Sequence, residues 1–123
     1  GGLRDAERTI KAQGFRLPTD VEWEVACRAG TAGPFYGQLE EITWVKCPDS
    51  SMCWHNPLEK KPNAFGFYGM IGLRSEPCTV VRDPVERTYR GGACGMVEWQ
   101  CSAWYASREP RTSTCGLRVA RNP

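Results

Sequence analysis

One stretch constrains this chain more than any other: Gly14-Phe15-Arg16-Leu17-Pro18-Thr19-Asp20-Val21-Glu22-Trp23-Glu24-Val25-Ala26-Cys27-Arg28-Ala29-Gly30-Thr31. Thr19 stands three residues before Glu22, the spacing of a capping box. In that arrangement the Thr hydroxyl accepts the Glu22 N–H and the Glu22 carboxylate accepts the Thr19 N–H. Pro18 disfavours helix at Leu17, and Gly30 supplies a stop. Val21, Trp23, Val25, Ala26, Cys27 and Ala29 spread over a wide arc, leaving Asp20, Glu24 and Arg28 as one polar edge. Glu24 and Arg28 have the favourable i, i+4 spacing. With so little polar face, the helix is expected to be mostly buried at the centre of the core.

The remainder is arranged around that helix. Residues 3 to 13 read as an amphipathic helix, with Leu3, Ala6 and Ile10 inward and Arg4, Arg8 and Lys11 outward. Gly14 ends it, and Phe15 packs back as in a Schellman cap. From 32 to 62 no period is sustained and Gly33-Pro34, Asn56-Pro57 and Pro48-Asp49-Ser50-Ser51 signal turns. Only Ile42-Thr43-Trp44-Val45 reads as a strand; Phe35, Tyr36, Trp44 and Trp54 are the expected anchors of this long loop. The glycine-punctuated run from Pro62 to Gly72 implies backbone packed close to the core. Thr79–Arg82 and Arg87–Arg90 flank an Asp83-Pro84-Val85-Glu86 turn, a hairpin pattern, and Gly116–Arg121 alternates as a half-buried terminal strand. Helices first and antiparallel strands after make an α+β chain. At 123 residues it is expected to be a single domain, residues 1-123.

Composition excludes more than it selects. A net charge of +2, with basic residues scattered along the sequence, gives no electrostatic footprint for nucleic acid. No apolar run approaches the ~20 residues of a membrane span, so no membrane partner is expected. Seven cysteines are an odd number, which a fully oxidised monomer does not allow. Reduced thiols and a cytoplasmic location are the expectation, with one or two disulfides as the open alternative.

The blocks Phe15–Thr19, Glu22–Glu24 and Ala26–Thr31, then Pro62–Gly66 with Tyr68 and Met70, then Arg90-Gly91-Gly92, then Gly116–Val119 stand in order over nearly the whole chain. Together they resemble the formylglycine-generating-enzyme family, the sulfatase-modifying factor domains. The resemblance implies a variant of the C-type lectin fold, two helices on a small twisted antiparallel sheet. It also implies that the chain is a minimal or N-terminally truncated version and part of a larger protein. Where relatives carry Gly-Asn-Val-Trp-Glu-Trp, associated with calcium, this chain reads Gly72-Leu73-Arg74-Ser75-Glu76-Pro77. The oxygen-ligand support is degraded and no calcium is expected there.

Enzymes of the family hold copper(I) between two cysteines soon after the Gly-Gly. Here Cys101 matches the second of them, while the first position is Met96, and Cys94 lies seven residues before Cys101. Soft thiolates suit copper(I), so a copper-dependent cysteine oxidase using Cys101, with Cys94 or Met96, is the enzymatic alternative. Cys47, Cys53 and His55 could ligate zinc, but their spacing matches no standard site and no metal is assigned.

Residues 93 to 114 mix large amphipathic groups with polar ones: Met96, Glu98, Trp99, Gln100, Ser102, Trp104, Tyr105, Ser107, Arg108 and Arg111. Trp, Tyr and Arg dominate binding hot spots. The chain resembles retroelement-diversified variable proteins, which share this fold and display a varied surface between the Gly-Gly strand and the last strand. The expectation is therefore a non-catalytic domain that binds a protein or peptide through this surface, helped by Trp54 and the 45–57 loop. Carbohydrate binding is a further alternative, weakened by the degraded calcium loop.

Overall fold

The capping box forms as the sequence dictates. In the computed structural model, which describes residues 2–44, 55–93, 101–108 and 115–123, Thr19 Oγ1 accepts the Glu22 N–H at 3.1 Å and Glu22 Oε1 accepts the Thr19 N–H at 2.8 Å. Arg16 grips the same carboxylate with two nitrogens, at 2.7 and 2.9 Å. That hydrogen-bonded pairing, with the Thr19 backbone bond, holds the Glu22 carboxyl well down, at about 2. The helix so begun, α2, spans Asp20–Arg28. It stops one residue earlier than expected, with Ala29 left-handed at φ 48° ahead of Gly30.

The burial of α2 corrects the expectation of a mostly enclosed helix. Trp23 and Cys27 are buried, but Val21 and Val25 are 58% and 59% exposed. A three-stranded sheet covers one stripe of a helix, and among the described residues nothing packs over the opposite stripe. The carbonyls near its end find a partner in Asn63, whose Nδ2 donates to Ala26 O at 2.6 Å and Cys27 O at 3.1 Å. Asn63 Oδ1 in turn accepts from the N–H groups of Phe65 and Phe67, which ties the glycine-punctuated run to the end of α2.

Before it runs α1, Leu3–Ala12, with Leu3, Ala6 and Ile10 half-buried. It closes as a Schellman motif: Phe15 N–H bonds to Ile10 O and Gly14 N–H to Lys11 O, with Gly14 at φ 86°. The expected strand at 42–45 is instead the end of a short helix, α3, Leu39–Ile42; Val45 lies outside the described residues. Gln38 O accepts from the N–H groups of Glu41 and Ile42, so a local turn overrides the β preference of this β-branched pair. Phe35 and Tyr36 pack against the core as anchors, and Trp44 stacks on His55 at 4.2 Å. A 3-10 turn, Pro57–Glu59, follows, capped by Asn56 Oδ1.

The 62–72 run approaches the core through its backbone. Gly72 N–H bonds to Gly91 O at 2.7 Å. Gly91 has φ 90°, and a methyl group there would sit 2.5 Å from Met70 O, so only glycine fits. Met70 and Ile71 enter the core, whereas Phe65, Phe67 and Tyr68 stay exposed.

Strand β1, Glu76–Val80, pairs antiparallel with β2, Asp83–Arg90, which pairs antiparallel with β3, Ala106–Ser107. The order is β1-β2-β3. The hairpin is real, but its turn is Val81–Arg82 rather than 83–86. Asp83 Oδ1 accepts from Val85 and Glu86 N–H, so the expected turn exists as a bulge inside β2, between the pairs Val80↔Asp83 and Thr79↔Arg87. The terminal segment reduces to one bridge, Arg16↔Ala120. Its alternation has the opposite phase to a half-buried apolar face: Leu117 and Val119 point outward and Arg118 inward. The result is an α+β fold, short helices on a small open antiparallel sheet, with Trp23, Cys27, Ile42, Met70, Ile71, Cys78 and Ala103 as the buried cluster.

Candidate functional site

Two ion-paired clusters join α2 to the sheet and to the segment of interest. In the first, Trp23 Nε1 donates to Glu76 Oε1 at 2.9 Å, and Arg118 reaches Glu76 through Nε (2.8 Å) and Nη2 (3.1 Å). Arg118 Nη2 also donates to Tyr68 O. Glu76, the carboxylate retained from the calcium-associated block, is thus bonded to the chain's own guanidinium. In the second, Glu24 accepts from Arg28 at 3.1 Å and from Arg90 at 3.0 Å, and Arg90 Nη1 continues to Ala103 O. Pro34 O accepts the Ala103 N–H at 2.7 Å. Sequence reasoning paired Glu24 with Arg28 but did not find Arg90, Arg118 or Asn63 as organising residues. The inverted alternation at Arg118 and the arginine preceding Gly91-Gly92 were the available signals.

These bonds fix where the segment after Gly92 re-enters. Ala93 is buried, and so are Cys101, Ser102 and Ala103. Cys101 Sγ lies 3.6 Å from Ala93 O, as a weak donor between the two ends. Ser102, expected on the binding surface, lies fully inside. Then the chain emerges: Trp104 is 61% exposed, Tyr105 and Ser107 are half-buried and Arg108 is exposed. Ser107 pairs with Tyr89 in the sheet, and Arg108 Nε stands 3.7 Å from Glu86 Oε1. Cys94, Met96, Glu98, Trp99, Gln100 and Arg111, with Cys47, Cys53 and Trp54, lie outside the described residues.

For chemistry, Cys101 is the one expected copper(I) ligand that falls among the described residues. One thiolate does not make the two-ligand copper(I) set, and its expected companions, Cys94 and Met96, fall outside the description. Among the described residues no three His, Cys, Asp or Glu side chains converge. His55 has its ring against Trp44, parallel within 8°. The described cysteines are Cys27, Cys78, Cys101 and Cys115, and of these Cys27, Cys78 and Cys115 are free thiols. Burial pushes the Cys27 and Cys78 thiols up to about 12. The folded state therefore favours the neutral thiols. Their contribution is complete below the unfolded thiol value of about 8.5 and is lost as pH rises from there toward 12. Thermal melts from pH 7 to 10 should show falling stability, with a shallower slope for Cys78→Ala. Alkylation with mass-spectrometric readout should label half-buried Cys115 well before Cys27 or Cys78. Early labelling of those two would contradict their burial.

A family model described as "Sulfatase-modifying factor enzyme 1-like domain" matches residues 3–123. The chain belongs to that family. The description names an enzyme, and so leans toward the oxidase alternative rather than the non-catalytic expectation. Among solved structures, this family member is similar to Treponema denticola variable protein 1, at TM-score 0.71 and 29% identity over 89% of the chain and 48% of that protein. It is 35% identical over 65 residues to the serine/threonine-protein kinase pkn1 of Chlamydia pneumoniae, 53% of this chain and 10% of the kinase. The chain thus spans under half the length of either. No helix among the described residues is long and apolar enough to cross a membrane.

Proposed function

We propose that this sulfatase-modifying-factor domain is a non-catalytic recognition module, a variant of the C-type lectin fold working within a larger protein. It binds a protein or peptide through the surface between the Gly-Gly strand and the chain's last segment. The observation that carries this reading is the change at residue 104. Cys101, Ser102 and Ala103 are held inside, and the next residue, Trp104, presents its indole to solvent with Tyr105, Ser107 and Arg108 following. A large exposed aromatic on a pinned backbone is what a binding anchor requires. The likeness to a variable protein supports the same reading. Met96, Glu98, Trp99, Gln100 and Arg111 would complete the surface.

The family description favours a second reading, the copper-dependent cysteine oxidase built on Cys101. Two measurements separate them. A displayed random-peptide library is selected on the immobilised reduced domain, beside Trp104→Ala/Tyr105→Ala/Arg108→Ala. Copper(I) affinity is measured by chelator competition, beside Cys101→Ser. Recognition predicts enriched peptides that fail to bind the triple variant, and copper affinity unchanged by Cys101→Ser. Tight one-to-one copper binding lost in Cys101→Ser, without peptide enrichment, would install the oxidase in its place.

A further inference from the structure

The basic residues that look scattered in the sequence are gathered by the fold. Glu7 of α1 binds Arg87 of β2 through two hydrogen bonds, 2.7 and 2.8 Å, which sets the helix against the sheet. Between α1 and β1 this leaves a groove of about 560 Å³. Arg4, Arg8 and Lys11 line it from the helix, Arg16 closes it, and Ile10, Leu17 and Thr79 supply the rest of the lining with Glu7. Arg16 is already neutralised by Glu22, and Glu7 by Arg87. Arg8 has only Asp5, at 3.8 Å, on a side chain 82% exposed. Arg4 and Lys11 form no ion pair among the described residues. Two cations, Arg4 and Lys11, are therefore in excess along a groove with apolar side chains in it, and Arg8 is only loosely paired between them.

We infer that this groove docks an acidic, amphipathic peptide segment of a partner protein. Arg4, Arg8 and Lys11 succeed one another on α1 at i, i+4 and i+7. At ~1.5 Å of rise per residue their backbone positions step by roughly 4.5 to 6 Å. Alternate side chains of an extended peptide are about 6.6 Å apart, so carboxylates at every second position meet successive cations. The intervening side chains then face Ile10 and Leu17. None of the lining residues is aromatic, so the groove lacks the stacking platforms on which single-stranded nucleic acid relies. The groove shares no residue with the 93–114 surface and does not depend on it.

The test is fluorescence anisotropy with a labelled peptide alternating Glu and Leu, a Gln–Leu control and a labelled oligothymidylate. The intact chain is compared with Arg4→Gln/Arg8→Gln/Lys11→Gln and with the same three sites changed to Glu. Thermal melts report whether each variant is folded, and the Gln variant keeps the test open if charge reversal unfolds α1. The acidic peptide should bind more tightly than its control, and binding should weaken about tenfold in the Gln variant, since each exposed pair contributes little alone. It should also weaken between 0.1 M and 1 M salt, as the screening length falls from about 10 to about 3 Å. Equal binding of the two peptides, or no change in a folded variant, overturns the inference. Tighter binding of oligothymidylate through the same three cations overturns it too and assigns the groove to nucleic acid.

Discussion

Arg118→Ala is expected to destabilise the domain by about 3 kcal/mol, the lower end of what breaking a buried ion pair produces. Its partner Glu76 has a side chain only 8% exposed, so removing the guanidinium leaves a carboxylate with little access to water. The lower end applies because Arg118 itself is 28% exposed and water can enter in its place. Set against a typical total of ~5–15 kcal/mol, this is a large fraction of the domain's stability. Urea unfolding at neutral pH measures it. Adding Glu76→Gln to Arg118→Ala should recover part of the loss, because a neutral amide still accepts the Trp23 N–H without a buried charge. A loss below about 1 kcal/mol in Arg118→Ala would mean that the pair behaves as an ordinary surface contact.

Trp23→Ala should cost about 3–5 kcal/mol, the largest effect expected from a single side chain here. Trp23 is 1% exposed, with Cys27, Met70 and Cys78 in the same buried cluster, and its loss opens a cavity in the middle of it. Trp23→Phe separates the contributions, since it keeps most of the volume and removes only the bond to Glu76. A decrease of about 1 kcal/mol is expected for that change. The same unfolding experiment checks both. A cycle of Trp23→Phe with Glu76→Ala, which removes the acceptor, should show coupling above about 0.5 kcal/mol, since the two groups are in direct contact. Simple additivity would place the indole N–H outside the network.

How far the fold was legible depended on the range of the chemistry involved. The capping box at Thr19 and Glu22, the Schellman ending at Gly14 and Phe15 and the Glu24–Arg28 pair are decided within a few residues, and each forms. The hairpin was legible but its turn was not. Asp83 makes its turn bonds in a bulge while Val81–Arg82 reverses the chain, so strong turn chemistry fixed a local bend rather than the strand ends. Period-two alternation in Gly116–Arg121 carries no phase, and the chain buries Arg118 because a buried Glu76 is waiting for it. Exposure of Val21 and Val25 was equally hidden, because amphipathicity cannot reveal how many elements cover a helix. At the candidate site, residue types singled out a segment but not its burial: the burial of Cys101 and Ser102 depends on Arg90 and Pro34 holding Ala103, contacts from distant parts of the sequence.

The contact between Cys101 Sγ and Ala93 O has a consequence for inheritance. The framework itself sets the span between these two buried residues, so the seven positions between them need not encode their own boundaries. Closing a longer connection adds only about 0.6 kcal/mol for each doubling of its length. A change in the length of that stretch is therefore expected to draw little on the stability of the rest, so that variation there and the ability to fold would be inherited almost separately.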